Sequence, residues 1–591
     1  MNFFLKERVI LPLFLLLLAY MMLISSESKV IMAGIAIFLV GMLFMEDGFK
    51  QFAGSMLQHL LEKSTNTLPK AMLSGFLITS IVQSSSLVAV ITISFLSAEM
   101  MGLLQAIGVI FGSNLGTTST AWIVALFGVK INIAYYAMPM LVFGSVMRVS
   151  SSSKTYQGIG TILLGLGFVF LGIAYLKEGF EILKDVVDLS AFSQEGLFGI
   201  LLYVAIGTVV TVIIQSSSAT MALIITALAS ANIIYTDALA MAIGANIGTT
   251  VTAILGALTS NANGKRLAAA HLIFNIITAF IAIVFIHQLS HIVDTLAHFF
   301  SISEENTVLK LAMFHTLFNF IGILAVTPFI KIIVRVLKRL FREEHEHRGE
   351  AKYLDKMVIQ VESSAIKAIE HETEHLYDVA LEALMHGLLL HRHEVFAKET
   401  TVYSRQSDVF KVDIDGFYHK RVKGIYAEII EYSTRAMSGM DEESKRRVYE
   451  LQVANRDIIE ALKHVRELHK NIIIFVEHTN KYIEKEYNFL RMRIADLVGD
   501  INQIRVNPDD FSVLQNINMI RDDLKTFDII GSGRIDELIR HNKIDSHMAT
   551  SLINDTAFAG VIMMKLLEMA SILWIRDVEL RALELEEEEE G

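Results

Sequence analysis

Gln83-Ser84-Ser85-Ser86 occurs a second time as Gln215-Ser216-Ser217-Ser218, and Gly112-Ser113-Asn114-Leu115-Gly116-Thr117-Thr118 occurs again as Gly244-Ala245-Asn246-Ile247-Gly248-Thr249-Thr250. Both pairs share one offset, 215−83 = 244−112 = 132 residues. Each copy lies in an otherwise apolar stretch, where a hydroxyl or amide without a partner is costly to desolvate. Placed at the start of helical arms, Ser85, Ser86, Ser217 and Ser218 would offer an anion free backbone N–H groups and the positive ends of helix dipoles. A phosphate oxygen suits such donors. In the second motif the glycines permit unwinding. Freed carbonyls, the hydroxyls of Thr117, Thr118, Thr249 and Thr250, and the side-chain oxygens of Asn114 and Asn246 are hard ligands suited to a small cation.

Charge is nearly absent from these regions. Residues 71–129 and 208–260 hold only Glu99 and Asp237 as ionisable groups, both at predicted loop ends. With no Lys or Arg to neutralise it, a multivalent anion would need co-bound cations as well as helix ends. With no buried carboxylate to relay protons, the pattern favours sodium over H+ as the coupling ion. Small and hydroxylated residues also pack membrane helices closely without any further role. The duplication of two motifs at one offset is what argues for a site.

The elements that would position these residues are membrane helices. Apolar segments recur at about 30–49, 70–98, 102–128, 131–149, 157–176, 198–230, 235–258, 266–288 and 311–334, each near or above the roughly 20 residues that cross a bilayer as helix. Each QSSS motif falls mid-way in a stretch of about 28 residues, so each arm would span only about 21 Å, short of a roughly 30 Å hydrocarbon core. These segments read as re-entrant hairpins. Upstream, Gly41…Asp47-Gly48-Phe49 aligns with Gly172…Glu178-Gly179-Phe180 one residue out of step, which starts the repeating unit near residue 30. A unit with three crossings and one hairpin has an odd number of crossings, so the second unit would be inverted. The expected layout is repeat 1 at about 30–150, repeat 2 at about 157–290 and a final span at 311–334, within a membrane domain of 30–340. Lys6 and Arg8 ahead of the apolar run from Val9 to Ile24 make residues 1–29 a signal-like segment or, as we prefer, a membrane anchor.

Hydrophobic residues make up 53% of the 591-residue chain and its mean hydropathy is +0.48, too apolar for a soluble protein of this size. The second part differs. Residues 1–340 hold 18 Lys+Arg and 15 Asp+Glu, leaving 51−18 = 33 and 63−15 = 48 for residues 341–591. That acidic balance argues against nucleic acid as a partner. The basic run Lys331, Arg335, Lys338, Arg339, Arg342 places the end of the last span, and all that follows, in the cytoplasm. A charged linker at 341–352 leads into helical periodicity over 353–585, and Glu586–Glu590 form an acidic tail (586–591). With no cysteine there is no disulfide or thiolate site, and no nucleotide loop, zinc-protease helix or base beside the serines points to an enzyme.

The QSSS pair, the G-x-N-x-G-T-T pair and the GMLFMEDGF opening (Gly41–Phe49) resemble the bacterial branch of the sodium/phosphate cotransporter family, related to the type II transporters of animals. The resemblance covers about 30–335. It implies an all-α inner-membrane protein of two inverted repeats with re-entrant hairpins, carrying out sodium-coupled symport of inorganic phosphate with no cofactor beyond Na+. Phosphate efflux or a phosphate-sensing role are the alternatives. It also implies that Gln83, Ser84, Ser85, Ser86, Gln215, Ser216, Ser217 and Ser218 form the substrate and sodium site, with Asn114, Thr117, Thr118, Asn246, Thr249 and Thr250 around it. His271-x-x-x-Asn275 and His315-x-x-x-Asn319 resemble a further family pattern, whose plain reading is helix–helix hydrogen bonding.

Residues 353–585 resemble the PhoU-like domain, a pair of three-helix bundles. That likeness implies regulation, a homodimer or a regulatory protein partner, and candidate metal carboxylates at Glu374 and Asp378 and at Asp496 and Asp500, each pair one helical turn apart. His371 and His375 share that spacing.

Overall fold

The computed structural model describes residues 11–24, 26–64, 66–128, 134–186, 196–257, 260–342, 349–355, 358–397, 413–508, 512–525 and 529–575. Lys6 and Arg8, linker residues 343–348 and the acidic tail lie outside them. The chain divides into two compact units, Met1–Glu343 and Glu344–Gly591. The described residues are all-helical, with no strand.

In the first unit α1 is Leu11–Ile24, α2 Ser26–Ser64, α3 Leu68–Val82, α4 Ser85–Ser97, α5 Leu103–Gly116, α6 Thr118–Ile123, α7 Ala134–Ser150 and α8 Lys154–Val186. They are followed by α9 Gly196–Ile214, α10 Ser217–Ala229, α11 Tyr235–Ala257, α12 Ala262–Val284, α13 Ile286–Phe299, α14 Thr307–Val326 and α15 Ile330–Leu340. Among the described residues eight helical segments are long and apolar enough to cross a membrane, seven of them in this unit. This is a multi-pass membrane protein. The apolar stretches expected at 70–98 and 198–230 are each broken into two helices at the QSSS motif. Arms α3 and α4, of 15 and 13 residues, reach about 22 and 20 Å at 1.5 Å per residue. Arm α9 has 19 residues, about 28 Å, longer than the expected arm and close to a full crossing.

Glycines set how closely these helices pack. A Cβ built on Gly75 would strike the Val109 carbonyl and one on Gly112 the Met72 carbonyl, so α3 and α5 touch backbone to backbone. The second repeat reproduces the crossing at the same offset, Gly207 on Met241 and Gly244 on Val204, between α9 and α11. Helices α2 and α8 cross through a ladder of glycines seven residues apart: Gly34 meets Gly172, Gly41 meets Gly165 and Gly48 meets Gly158. As one number rises the other falls, so α2 and α8 are antiparallel. They are also the two helices that the upstream repeat relates.

The second unit contains α16 Glu362–Gly387, α17 Arg392–Ala397, α18 Ile414–Phe417, α19 Lys423–Ala436, α20 Glu442–Phe475, α21 Lys481–Val506, α22 Ser512–Lys525, α23 Arg534–Arg540 and α24 Ser546–Ala570. The eighth long apolar segment, Ser546–Ile575, lies here. Its Leu552, Ala559, Ile562, Met563 and Leu566 are buried in the unit's core, and α24 packs on α20 and α21. Its apolar face therefore serves the interior of a helical assembly.

Candidate functional site

Each QSSS motif reverses the chain in two residues. Gln83 caps α3 in the left-handed conformation at φ 60°, and its N–H donates to the Thr79 carbonyl. Ser84 is extended (φ −134°, ψ 100°) and caps α4, its Oγ accepting the Leu87 N–H at 3.2 Å. The second copy repeats this: Gln215 has φ 58°, and Ser216 (φ −146°, ψ 112°) accepts the Ala219 N–H at 3.2 Å. A left-handed C-cap followed at once by a serine N-cap ends one helix and starts the next. Ser85, Ser86 and Ser217, Ser218 thus stand on the first turns of α4 and α10, at their positive ends.

The two tips meet at a residue that sequence reasoning passed over. The Thr120 hydroxyl donates to Gln83 Oε1 at 2.7 Å and lies 3.1 Å from Ser218 Oγ. A hydroxyl has one hydrogen and two lone pairs, so Ser218 donates in this second contact. Gln83 Nε2 donates to Ser119 Oγ at 2.7 Å and to the Ser80 carbonyl. Gln83, Thr120, Ser217 and Ser218 are buried, whereas Ser84 and Ser85 are half-buried and Ser86 is exposed.

A carboxylate reaches the first tip from outside the motif regions. The Ser84 hydroxyl donates to Glu46 Oε2 at 2.9 Å, and Glu46 Oε1 pairs with Lys50 at 2.8 Å. The scarcity of charge in residues 71–129 and 208–260 therefore does not carry over to three dimensions, because α2 brings an acid to the hairpin. The signal was Glu46 itself, an ionisable residue inside an apolar span. In the second repeat the equivalent position, 46+131 = 177, is Lys177.

The G-x-N-x-G-T-T segments are not unwound. α11 runs through the second without interruption. In the first, Thr117 separates α5 from α6 at helical angles, φ −62° and ψ −23°. The glycines serve close approach. Thr117 and Thr249 return their hydroxyls to the Asn114 and Asn246 carbonyls at 2.6 and 2.9 Å, and Thr118 and Thr250 do the same to Leu115 and Ile247. These threonines satisfy helical carbonyls.

Asn114 and Asn246 join a buried amide chain with the two His-x-x-x-Asn helices. Asn114 Nδ2 donates to Asn275 Oδ1 at 2.8 Å, and Asn246 Nδ2 donates to Asn275 Oδ1 at 3.4 Å and to Asn319 Oδ1 at 3.0 Å. Asn275 Nδ2 returns a bond to the Asn246 carbonyl at 2.9 Å, and Asn319 Nδ2 bonds the His315 carbonyl at 2.9 Å. Asn114 Oδ1 lies 3.0 Å from His271 Nε2, which must donate, since an amide oxygen only accepts. The twin motifs thus make helix–helix hydrogen bonds between α5, α11, α12 and α14. Satisfied amides at membrane depth hold such helices in fixed register.

In the second unit the carboxylates considered for metal are otherwise engaged. Asp378 receives Arg505 Nη1 and Nη2 at 2.8 and 2.7 Å and Arg392 Nη2 at 2.7 Å. Burial pushes its pKa up, but the Arg505 hydrogen bonds and the charges of Arg505 and Arg392 outweigh this and hold it below the usual carboxylate value. Glu374 accepts Trp574 Nε1 at 3.0 Å. His375 Nδ1 faces Glu372 at 2.7 Å and His371 Nδ1 lies 3.8 Å from Glu374. Asp496 is exposed and Asp500 buried, so that pair does not share one environment. Among the described residues no group of three or more His, Asp or Glu is arranged to hold a metal ion.

A family profile described as Na+/Pi-cotransporter matches residues 37–178 and 190–303, spanning both hairpins and both asparagine motifs. Over these residues the chain is similar to the Na+/Pi-cotransporter family. Among its relatives, the proposed inorganic phosphate export protein YjbB of Salmonella typhimurium is 25% identical over 389 residues, 64% of this chain and 68% of the relative. YjbB of Escherichia coli is 25% identical over 368 residues, 61% of this chain and 64% of that protein. The uncharacterized protein YqeW of Bacillus subtilis is 29% identical over 310 residues, 52% of this chain and 95% of its own length. The matches to YjbB thus span about two-thirds of that protein. No solved structure matches the chain. The match runs across α2 to α8 and α9 to α13, the helices that build the two tips.

Proposed function

We propose that the membrane unit carries inorganic phosphate across the bacterial inner membrane together with sodium, binding both where the two QSSS tips converge. The observation that carries this reading is the Thr120 bridge. One hydroxyl touches Gln83 of the first tip and Ser218 of the second, so two helix N-termini with serine-rich first turns face a common point. Helix N-termini with free N–H and O–H donors are anion sites, and a phosphate held there beside the Glu46 carboxylate, to which Lys50 is already paired, calls for cations bound with it.

The antiparallel glycine ladder of α2 and α8 supports an inverted relation between the repeats, the design by which transporters alternate access around a central site. The acidic second unit is read as cytoplasmic, following the basic residues of α15, and as a PhoU-like regulatory element through which a second copy or a regulatory protein would act.

The experiment is phosphate flux in proteoliposomes with and without an inward sodium gradient, comparing the native chain with the Ser85→Ala, Ser217→Ala double variant. Sodium-dependent uptake that the variant loses is the expected result. A folded, inserted protein that moves no phosphate under any cation gradient would sink the transport reading and leave the phosphate-sensing role. A second reading, net export, is favoured by the printed name of the YjbB relatives. Vesicles loaded with labelled phosphate distinguish it: export predicts release that does not require sodium outside.

A further inference from the structure

Helix α15 has three surfaces, and the rest of the membrane unit occupies only one of them. Ile330 and Leu337 are buried, and the helix packs on α12 and α5. Its C-terminal end is tied down by Arg266, whose Nε and Nη2 donate to the Phe341 carbonyl at 3.0 and 2.7 Å. At 100° per residue, Ile332, Val336 and Leu340 fall on a second strip, which Phe329 continues at the turn before the helix. These four are 52%, 51%, 68% and 57% exposed. Lys331, Arg335, Lys338 and Arg339 form the third strip, next to the second. All four are exposed, and none has an acidic partner among the described residues.

Length fixes where this helix begins. α14 has 20 residues, about 30 Å of helix, which already crosses a hydrocarbon core. α15 therefore starts at the membrane surface. There an apolar strip beside a basic strip meets acyl chains on one side and headgroup phosphates on the other. An acidic protein surface would satisfy the lysines and arginines but leave Phe329, Ile332, Val336 and Leu340 in water; the joined strips favour lipid.

We propose that α15 is an interfacial helix that recruits anionic phospholipid to the membrane unit. The chain contains no cysteine, so V336C carries a single fluorescent label on the apolar strip. The full chain is placed in vesicles of phosphatidylcholine and phosphatidylglycerol, with brominated acyl chains carried by equal molar amounts of either the anionic or the neutral lipid. Phosphatidylglycerol-borne bromine is expected to quench the label at least about two-fold more strongly, since each surface cation attracts anionic lipid. High salt should bring the ratio toward one, and so should neutralisation by K331Q, R335Q, K338Q and R339Q together. A ratio of one in the protein that keeps all four cations overturns the proposal. So does a label quenched by aqueous iodide and by neither lipid. Should the four-fold variant fail to insert, the ratio and its salt dependence in the V336C protein still decide. None of these readouts involves phosphate flux, so the result stands apart from the transport reading.

Discussion

The two hairpin tips share a backbone and not an environment. Both turn on a glutamine near φ 60° and a serine cap, yet Gln83 is buried in a web of hydroxyls while Gln215 is exposed. The serines are reversed: Ser217 and Ser218 are buried, Ser85 is half-buried and Ser86 exposed. Part of the cause is visible in the duplicated sequence. Ser119, which accepts from Gln83 Nε2, is replaced at 119+132 = 251 by Val251, so Gln215 has no hydroxyl at the equivalent place. Thr79 and its equivalent Thr211 likewise bond different partners, Ser113 and Thr220. Duplication has kept what sets the helices and released what sets the polar contacts.

The scaffold should fail equally in both halves. Gly112→Val and Gly244→Val each push a side chain into a carbonyl of the partner helix. Both variants are expected to lose at least about 3 kcal/mol, the upper end of overpacking costs, and to yield little monodisperse protein by size-exclusion chromatography. Tolerance of one and not the other would break the equivalence of the crossings. The caps should fail unequally. Gln83→Leu removes the acceptor of the buried Thr120 hydroxyl and the donor to Ser119 and is expected to cost about 2–3 kcal/mol, whereas Gln215→Leu, at an exposed position, should stay within about 0.5 kcal/mol. Thermal unfolding in detergent measures both, and equal shifts would remove the asymmetry. Thr120→Val, nearly isosteric, should cost about 1–2 kcal/mol by leaving the buried Gln83 Oε1 without its donor.

The helical architecture was legible because apolar length and the fixed 132-residue offset are local properties of the chain. The serine caps were legible for the same reason: a polar quartet mid-way in an apolar stretch has few other uses. What could not be read was pairing across helices. Thr120 is one of three hydroxyl residues in the short helix Thr118–Ile123, and its type and position do not say which partners it meets. Glu46 reaches Ser84 only because the chain folds back across 38 positions. The glycines of G-x-N-x-G-T-T suggested unwinding, and that reading missed the other use of glycine, which is to let two backbones touch. The apolar segment Ser546–Ile575 is ambiguous for a related reason, since length and composition alone do not tell a bundle core from a span.

The smallest expected effect on stability is also the one that bears most directly on the site. Glu46→Gln keeps an oxygen for the Ser84 hydroxyl and loses the partly exposed ion pair with Lys50, so unfolding should move by no more than about 1 kcal/mol. Substrate affinity should move more. The carboxylate accepts the hydroxyl hydrogen that an anion at the tip of α4 would otherwise accept, and its charge opposes that anion. Removing the charge is expected to lower the phosphate KM in proteoliposomes about three-fold, on the order of a partly screened charge at close range. Lys177, which pairs with Glu181 at 3.9 Å, supplies the control at the equivalent position: Lys177→Gln should leave KM unchanged. An equal and opposite change there would mean that the tips respond to the general field of α2 and α8. A KM untouched by Glu46→Gln would mean that phosphate does not bind within reach of the Glu46 charge, and would shift the anion toward the buried serines of the second hairpin, Ser217 and Ser218.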